Sequence, residues 1–301
     1  MPFKARVESE DLKRFKILDQ RMLLTADEKK YYKALLKGYE GEVQFDSLTE
    51  KLQSDSFILN DLVLEVNHTK FQIDSTIIFQ NTYHFFEVKN YEGDYIYDPE
   101  NFKSGSGKPI QNPLDQLKRS KTLIRQLLQN LGYNLQVEGH VIFINPEFTL
   151  LNAPYDLSFI YPSQLNRFLK KLDMKPSRLN NIHIKLANQL VALHQSKVSM
   201  IKLPTYEYDQ LKKGLNCKGC DSFSVSVQGK KQICNECGYV EMISTAVLRS
   251  VEEYKLLFPN WKINSNIIFD WCGGAISKRR IGRTLGKSLK IVGVHQWAVY
   301  E

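Results

Sequence analysis

Long apolar runs are missing from this chain. Nowhere do about eighteen uninterrupted apolar residues occur, the length a membrane-spanning helix needs, so no membrane partner is expected. Cysteine is scarce, 5 in 301 residues, which excludes a disulfide scaffold of the secreted type. Residues 1–14 are charged rather than signal-like, and a cytoplasmic location is the expectation. No internal repeat or low-complexity tract appears, which excludes solenoids and disordered arrays. The six histidines are scattered without ligand spacing, and none is assigned to a metal. What is present is ordinary for a globular protein: 43% hydrophobic and 25% charged residues, enough to fill the cores of two or three domains. The net charge of +8 leans toward polyanionic partners.

The few cysteines are not scattered. Cys217/Cys220 and Cys234/Cys237 form two Cys-x-x-Cys pairs, separated by a hairpin-like stretch with Val225, Val227 and Gly229. That spacing predicts a four-thiolate structural zinc site in a ribbon, with Gly219 and Gly238 easing the two tight turns. A closed thiolate site has no position open to substrate, so the chemistry has to lie elsewhere. Cys272 follows Trp271 far from the knuckles and reads as a buried small hydrophobe.

Periodicity outlines the rest. Residues 1–37 read as a helical lead-in, with Thr25 capping a helix. Runs at Phe57–Val66, 71–79 and 83–91 are rich in Ile, Val, Phe and Tyr and predict three consecutive strands. Asn112-Pro113 opens an amphipathic helix closed by Gly132, and 137–144 is a further strand. An α/β domain over 38–150 follows, then a mostly helical connector to 213, a ribbon over 214–243, and a small domain over 244–301. That last domain is expected to carry helices at 251–258, Ser265–Trp271 and 277–289, then a strand-like end, which is the layout of a winged helix.

Side chains alternate along a strand, so Glu87 and Lys89 share one face. Gln72, Asp74 and Thr76 share a face of the preceding strand, and antiparallel pairing across a turn near Asn81 brings Asp74 beside Glu87. Two carboxylates and a lysine then converge, a set suited to magnesium or manganese and to cleavage of a phosphodiester. The same residues also describe an ion pair on a half-exposed strand, which carries no chemistry.

Four motifs stand in order along the chain: Gly38-Tyr39-Glu40-Gly41-Glu42, Gln72-Ile73-Asp74, Glu87-Val88-Lys89-Asn90-Tyr91-Glu92-Gly93 and Asn112-Pro113-Leu114-Asp115-Gln116. In this order and spacing the segment 38–150 resembles the NERD (nuclease-related) domain, a branch of the PD-(D/E)xK nuclease superfamily. The resemblance implies a restriction-endonuclease-like mixed sheet flanked by helices, with Asp74 and Glu87 as ligands of magnesium or manganese and Lys89 as the catalytic lysine. It also implies Glu42 as a further acidic member and Gln116 as a residue lining the site, while Glu40 and Asp115 are left as surface carboxylates.

Near the C-terminus, Ile281, Leu285 and Leu289 fall four apart and turn Lys278, Arg279, Arg283, Lys287 and Lys290 outward, with Arg280 beside them and Ser277 as cap. This reads as a recognition helix, with 294–300 as the wing. The whole is expected to be a metal-dependent nuclease acting on DNA, with RNA left open. The rival is a non-catalytic DNA-binding or accessory protein on a nuclease-like scaffold. A helicase or other DNA-processing partner and self-association stay open.

Overall fold

The computed structural model describes residues 1–98, 102–155, 158–195, 203–293 and 299–300. Along the chain α1 (Glu10–Arg21) and α2 (Ala26–Thr49) precede β1 (Phe57–Val66), β2 (Thr69–Ile78) and β3 (Thr82–Lys89). Three short strands follow, β4 (Gly93–Ile96), β5 (Phe102–Ser104) and β6 (Pro109–Ile110), then α3 (Pro113–Asn130). Next come β7 (Gln136–Phe143), β8 (Phe148–Leu151), β9 (Phe159–Ile160), α4 (Pro162–Asp173) and α5 (Asn181–Leu193). After a 3-10 turn at Tyr208–Gln210 the chain forms β10 (Val225–Gln228), β11 (Lys231–Cys234), β12 (Val240–Met242), α6 (Ile243–Leu257), α7 (Ser265–Trp271), α8 (Lys278–Ser288), β13 (Ile291–Val292) and β14 (Val299–Tyr300). Two compact units result: Met1–Glu8 with Lys33–Val198, and Ser9–Tyr32 with Ser199–Glu301.

In the first unit the expected strand runs form a mixed sheet in the order β1-β2-β3-β7-β9. The pairs β1/β2 and β2/β3 are antiparallel, and β7 lies parallel to both β3 and β9. Parallel neighbours need a crossover, and α3 supplies the one from β3 to β7. Its start is as the sequence predicts: the Asn112 side chain accepts from Leu114 N–H and Pro113 takes the first turn. Leu114, Leu117, Ile124 and Leu128 of α3, with Leu186 and Leu190 of α5, join Phe85 and Phe143 in one core. Phe45 of α2 and Leu165, Leu169 and Leu172 of α4 join Phe86, Val88 and Ile142 in the other. The sheet is thus covered on both faces, which is why its strands read as nearly continuous apolar runs rather than clean alternations. The helices read as a connector, α4 and α5, pack in these cores.

Residues at the start differ from the helical lead-in expected there. Phe3 and Lys4 run extended beside β1, with Phe3 N–H donating to Ile58 O (2.8 Å) and Asn60 N–H to Lys4 O (2.9 Å). An edge strand leaves such backbone groups unpaired, and the first residues satisfy them. Thr25 caps α2 as expected, exchanging hydrogen bonds with Glu28.

The second unit contains α1, the ribbon sheet β10-β11-β12, the helices α6, α7 and α8, and the two-stranded antiparallel sheet β13/β14. Along the chain α6, α7 and α8 precede β13 and β14. The expected helix at 251–258 begins earlier, at Ile243, directly from β12. Its buried residues Ile243, Ala246, Val247, Ser250, Val251, Tyr254 and Leu257 recur at helical spacing, so packing extends it back to the ribbon. Of the expected wing, 294–298 lie outside the described residues. Among the described residues no helix is long and apolar enough to cross a membrane.

Candidate active site

The carboxylates expected to converge do so. The register that sets Ser75 opposite Phe86 continues toward Asp74, whose Oδ2 accepts from Val88 N–H at 2.8 Å. Glu87 follows the strand's alternation onto the face that carries Phe85, and Lys89 Nζ donates to Glu87 Oε1 at 2.7 Å. From α3, Gln116 Oε1 accepts from the same Lys89 ammonium at 3.2 Å. Glu42 reaches the group from α2, which can approach the end of β3 because residue 41 is glycine: a Cβ there would meet Asn90 Cβ at 2.6 Å. Glu42, Asp74, Glu87 and Lys89 line one cavity of about 420 Å³, with Tyr91 and Lys37 on its wall. Glu40 and Asp115 are exposed, away from this lining.

Sequence reasoning missed Arg6. Its guanidinium forks onto Asp46 (2.8 and 3.1 Å), pairs with Glu42 and donates to the backbone carbonyl of Asp74 at 2.7 Å. It therefore ties the first residues, α2 and β2 together behind the cavity. Nothing local distinguishes Arg6 in the sequence, because its partners lie on segments far along the chain.

Burial sets the electrostatics. Glu87 is 5% exposed, and burial followed by the Asp74 charge pushes its pKa up to about 8, with Lys89 opposing. Burial works against the Lys89 ammonium, but Glu87, Tyr91 and Asp74 together outweigh it and raise its pKa. Glu87 is thus held close to a second carboxyl group in a poorly solvated place that disfavours its ionised form. A hard divalent cation between them would relieve that cost, so the donor set of Asp74 and Glu87 fits a divalent metal ion.

Comparison with known families bears directly on this cavity. Residues 37–144 match the family described as nuclease-related domain, NERD. The chain carries a NERD domain. All five residues predicted from the motifs, Glu42, Asp74, Glu87, Lys89 and Gln116, fall inside the NERD segment and come together in space. The solved structure of protein VC1899 from Vibrio cholerae is similar over 50% of this chain and 36% of its own, with 12% identity and a TM-score of 0.27, a likeness from which nothing about this chain follows. Among curated proteins no relative matches the chain.

Beyond the NERD domain, the four predicted cysteines cluster, with Cys217 Sγ 3.6 Å from Cys237 Sγ and Cys220 Sγ 3.5 Å from Cys234 Sγ. Zn–S bonds of about 2.3 Å put thiolates about 3.8 Å apart on a tetrahedron, so the cluster fits a zinc ribbon. Backbone N–H groups of the knuckles support the sulfurs: Gly219 N–H donates to Cys217 Sγ, and Cys237 N–H to Cys234 Sγ. Hydrogen bonds from Cys237 and Glu236 lower the Cys234 pKa to about 7, toward the thiolate a metal needs. Gly238 has φ +72° as its turn requires, whereas Gly219 is small because Tyr239 packs against it. Cys272 is buried as expected, and burial pushes its thiol up to about 11.

On α8, Ile281 and Leu285 are fully buried, while Lys278, Arg279, Arg283 and Lys287 are exposed, as is Lys290 just beyond the helix end. Arg280 is instead half-buried and donates to Gly229 O at 2.7 Å, tying the helix to the ribbon hairpin. Ser277 occupies the cap position through its backbone carbonyl, but its side chain makes no cap hydrogen bond. A cavity of about 510 Å³ beside α8 is lined by Lys230, Arg280, Arg283 and Lys287. Lys230 was missed because it sits in the ribbon turn, remote from α8 in sequence.

Proposed function

We propose that the protein is a metal-dependent nuclease that hydrolyses DNA phosphodiester bonds in the cavity of the NERD domain. The observation that carries this reading is the convergence of Asp74, Glu87 and Lys89, with Glu42, in one cavity within residues 37–144, Gln116 joining them through its hydrogen bond from Lys89. Asp74 and Glu87 would hold magnesium or manganese, which when bound supplies neutralisation of phosphate charge and acidifies water. Lys89 acts as a donor rather than a base, because its neighbours stabilise the ammonium. Of its three N–H groups, one goes to Glu87 and one to Gln116, which leaves one for a phosphate oxygen or the attacking water. Gln116 thereby aims Lys89, and Arg6 holds Glu42 in place. The exposed cations of α8 and the ribbon residue Lys230 would bind the DNA backbone, which gives salt-dependent affinity without sequence preference.

The test is cleavage of supercoiled, linear and single-stranded DNA, and of RNA, by the purified full chain with magnesium or manganese. Nicking is expected, reduced by about a hundredfold or more in Asp74→Ala and Lys89→Ala, the scale seen when one electrostatic contact to a transition state is removed. Equal cutting by the variants, or no cutting of any substrate, overturns the reading. DNA retention without cleavage would leave the NERD domain as a scaffold.

A further inference from the structure

A second cluster of metal-binding side chains sits on the other face of the same sheet. The parallel register of β3 and β7 sets His84 opposite Glu138 and Phe86 opposite His140. With a period of two, His84 and Phe86 share the face opposite Phe85, Glu87 and Lys89, and Glu138 and His140 lie beside them. The two imidazole rings stack with centroids 6.0 Å apart, and Phe168 of α4 packs edge-on against His140 at 4.8 Å. One nitrogen from each histidine and a Glu138 oxygen all lie within 4.8 Å of one another.

Two features separate this cluster from an ordinary core pair. His84 is 1% exposed and its Nδ1 lies 3.5 Å from Glu138 Oε2 without a hydrogen bond, and among the described residues neither ring nitrogen of His140 has a hydrogen-bond partner. Buried polar atoms left so are disfavoured by about 1–3 kcal/mol each and call for an explanation. A cation already approaches the group: Lys175 Nζ lies 2.9 Å from His84 Nε2 and 3.5 Å from Glu138 Oε2. Burial above all, with Lys175 adding to it at His84, holds His84 down to about 3 and His140 to about 4, so both rings are neutral ligands at neutral pH.

We propose that His84, Glu138 and His140 form a binding site for a divalent transition-metal ion of the zinc class, with Lys175 competing for the same groups. Two imidazoles and one carboxylate suit zinc and its neighbours, whereas magnesium and calcium prefer all-oxygen shells. Zn–N bonds of about 2.0–2.1 Å require the three ligand atoms to draw in, and the partly exposed Glu138 and Lys175 have room to move. The site would clamp β3 to β7, and its three protein ligands leave a position open. It does not depend on the nuclease reading, because none of its residues faces the Asp74–Glu87 cavity.

The test titrates zinc into the purified full chain, counts bound ions, and locates them by anomalous scattering at the zinc edge. One ion is expected among Cys217, Cys220, Cys234 and Cys237, and a further one at His84, Glu138 and His140. His140→Gln and Glu138→Gln should each lose one equivalent per chain while keeping the ribbon ion and an unchanged circular dichroism spectrum. Should those variants fold poorly, Lys175→Met, on a half-exposed side chain, should bind the further ion more tightly than wild type. The proposal is overturned if zinc stoichiometry is the same in wild type, His140→Gln and Lys175→Met. A further peak found only beside Asp74 and Glu87 overturns it equally.

Discussion

Glu87 has opposing obligations. Its folded pKa is raised to about 8 by burial and by Asp74, whereas an unfolded glutamate titrates near 4.3. Between those values the folded chain holds a proton that the unfolded chain releases, so metal-free stability falls as pH rises through that window. Glu87→Gln removes the effect. Thermal unfolding followed by circular dichroism without metal should show a flatter decline from pH 5 to 8 in Glu87→Gln, with a melting temperature at pH 8 higher by roughly a few degrees. A steeper decline in the variant would contradict the assigned shift. Arg6 is the structural counterpart, a buried guanidinium on Asp46 and Glu42. Removing one partner of such a pair leaves charge uncompensated, so Arg6→Ala should lower the stability of the first unit by about 3–5 kcal/mol, measured by denaturant unfolding.

At the scale of elements, the proposed function divides structural and binding roles between the ribbon and α8. The ribbon's strands are three or four residues long, too short to stand on their own packing, and in such modules metal binding supplies folding free energy. A thiol-selective zinc chelator should therefore loosen residues 214–243, seen as faster amide exchange there, while exchange in β1 to β3 stays unchanged. The proposed binding role of α8 is testable by charge. Arg283→Glu with Lys287→Glu should weaken DNA binding and lower the slope of log K against log salt by about 0.9 for each phosphate no longer neutralised. An unchanged slope would make α8 an ordinary solvated face. Arg280 is excluded from that test because its bond to Gly229 couples it to the ribbon.

At the scale of the whole molecule, each unit is assembled from segments distant in sequence. Arg21 of α1 shows how the second unit does it: fully buried, it donates to Glu253 of α6 (2.6 and 3.2 Å) and to the Lys212 carbonyl (2.7 Å), and lies 4.1 Å over the Trp271 ring. Arg21→Ala should destabilise this unit by about 3–5 kcal/mol. Trp261, Trp271 and Trp297 all belong to the second unit's sequence, so tryptophan fluorescence reports its unfolding separately from that of the first. A melting shift in the circular dichroism of the first unit alone would contradict the assignment.

Much of this is legible in the sequence. Cys-x-x-Cys pairs bring their own geometry within a few residues, as do the strand runs, the Asn112 cap and the Asp74, Glu87 and Lys89 alternation across a short turn. Such features depend on period and local spacing, which a sequence displays directly. Arg6 behind Glu42, the reach of α6 back to Ile243, the bond from Arg280 to the ribbon, and the meeting of His84 with His140 are not legible there. Each depends on which strands lie side by side and how helices pack, and a parallel neighbour such as β7 joins residues separated by a whole crossover. The sequence by itself therefore determined the four-cysteine cluster of the ribbon and the residues of the NERD cavity, whereas tertiary structure alone decided what supports that cavity and which histidines share a face.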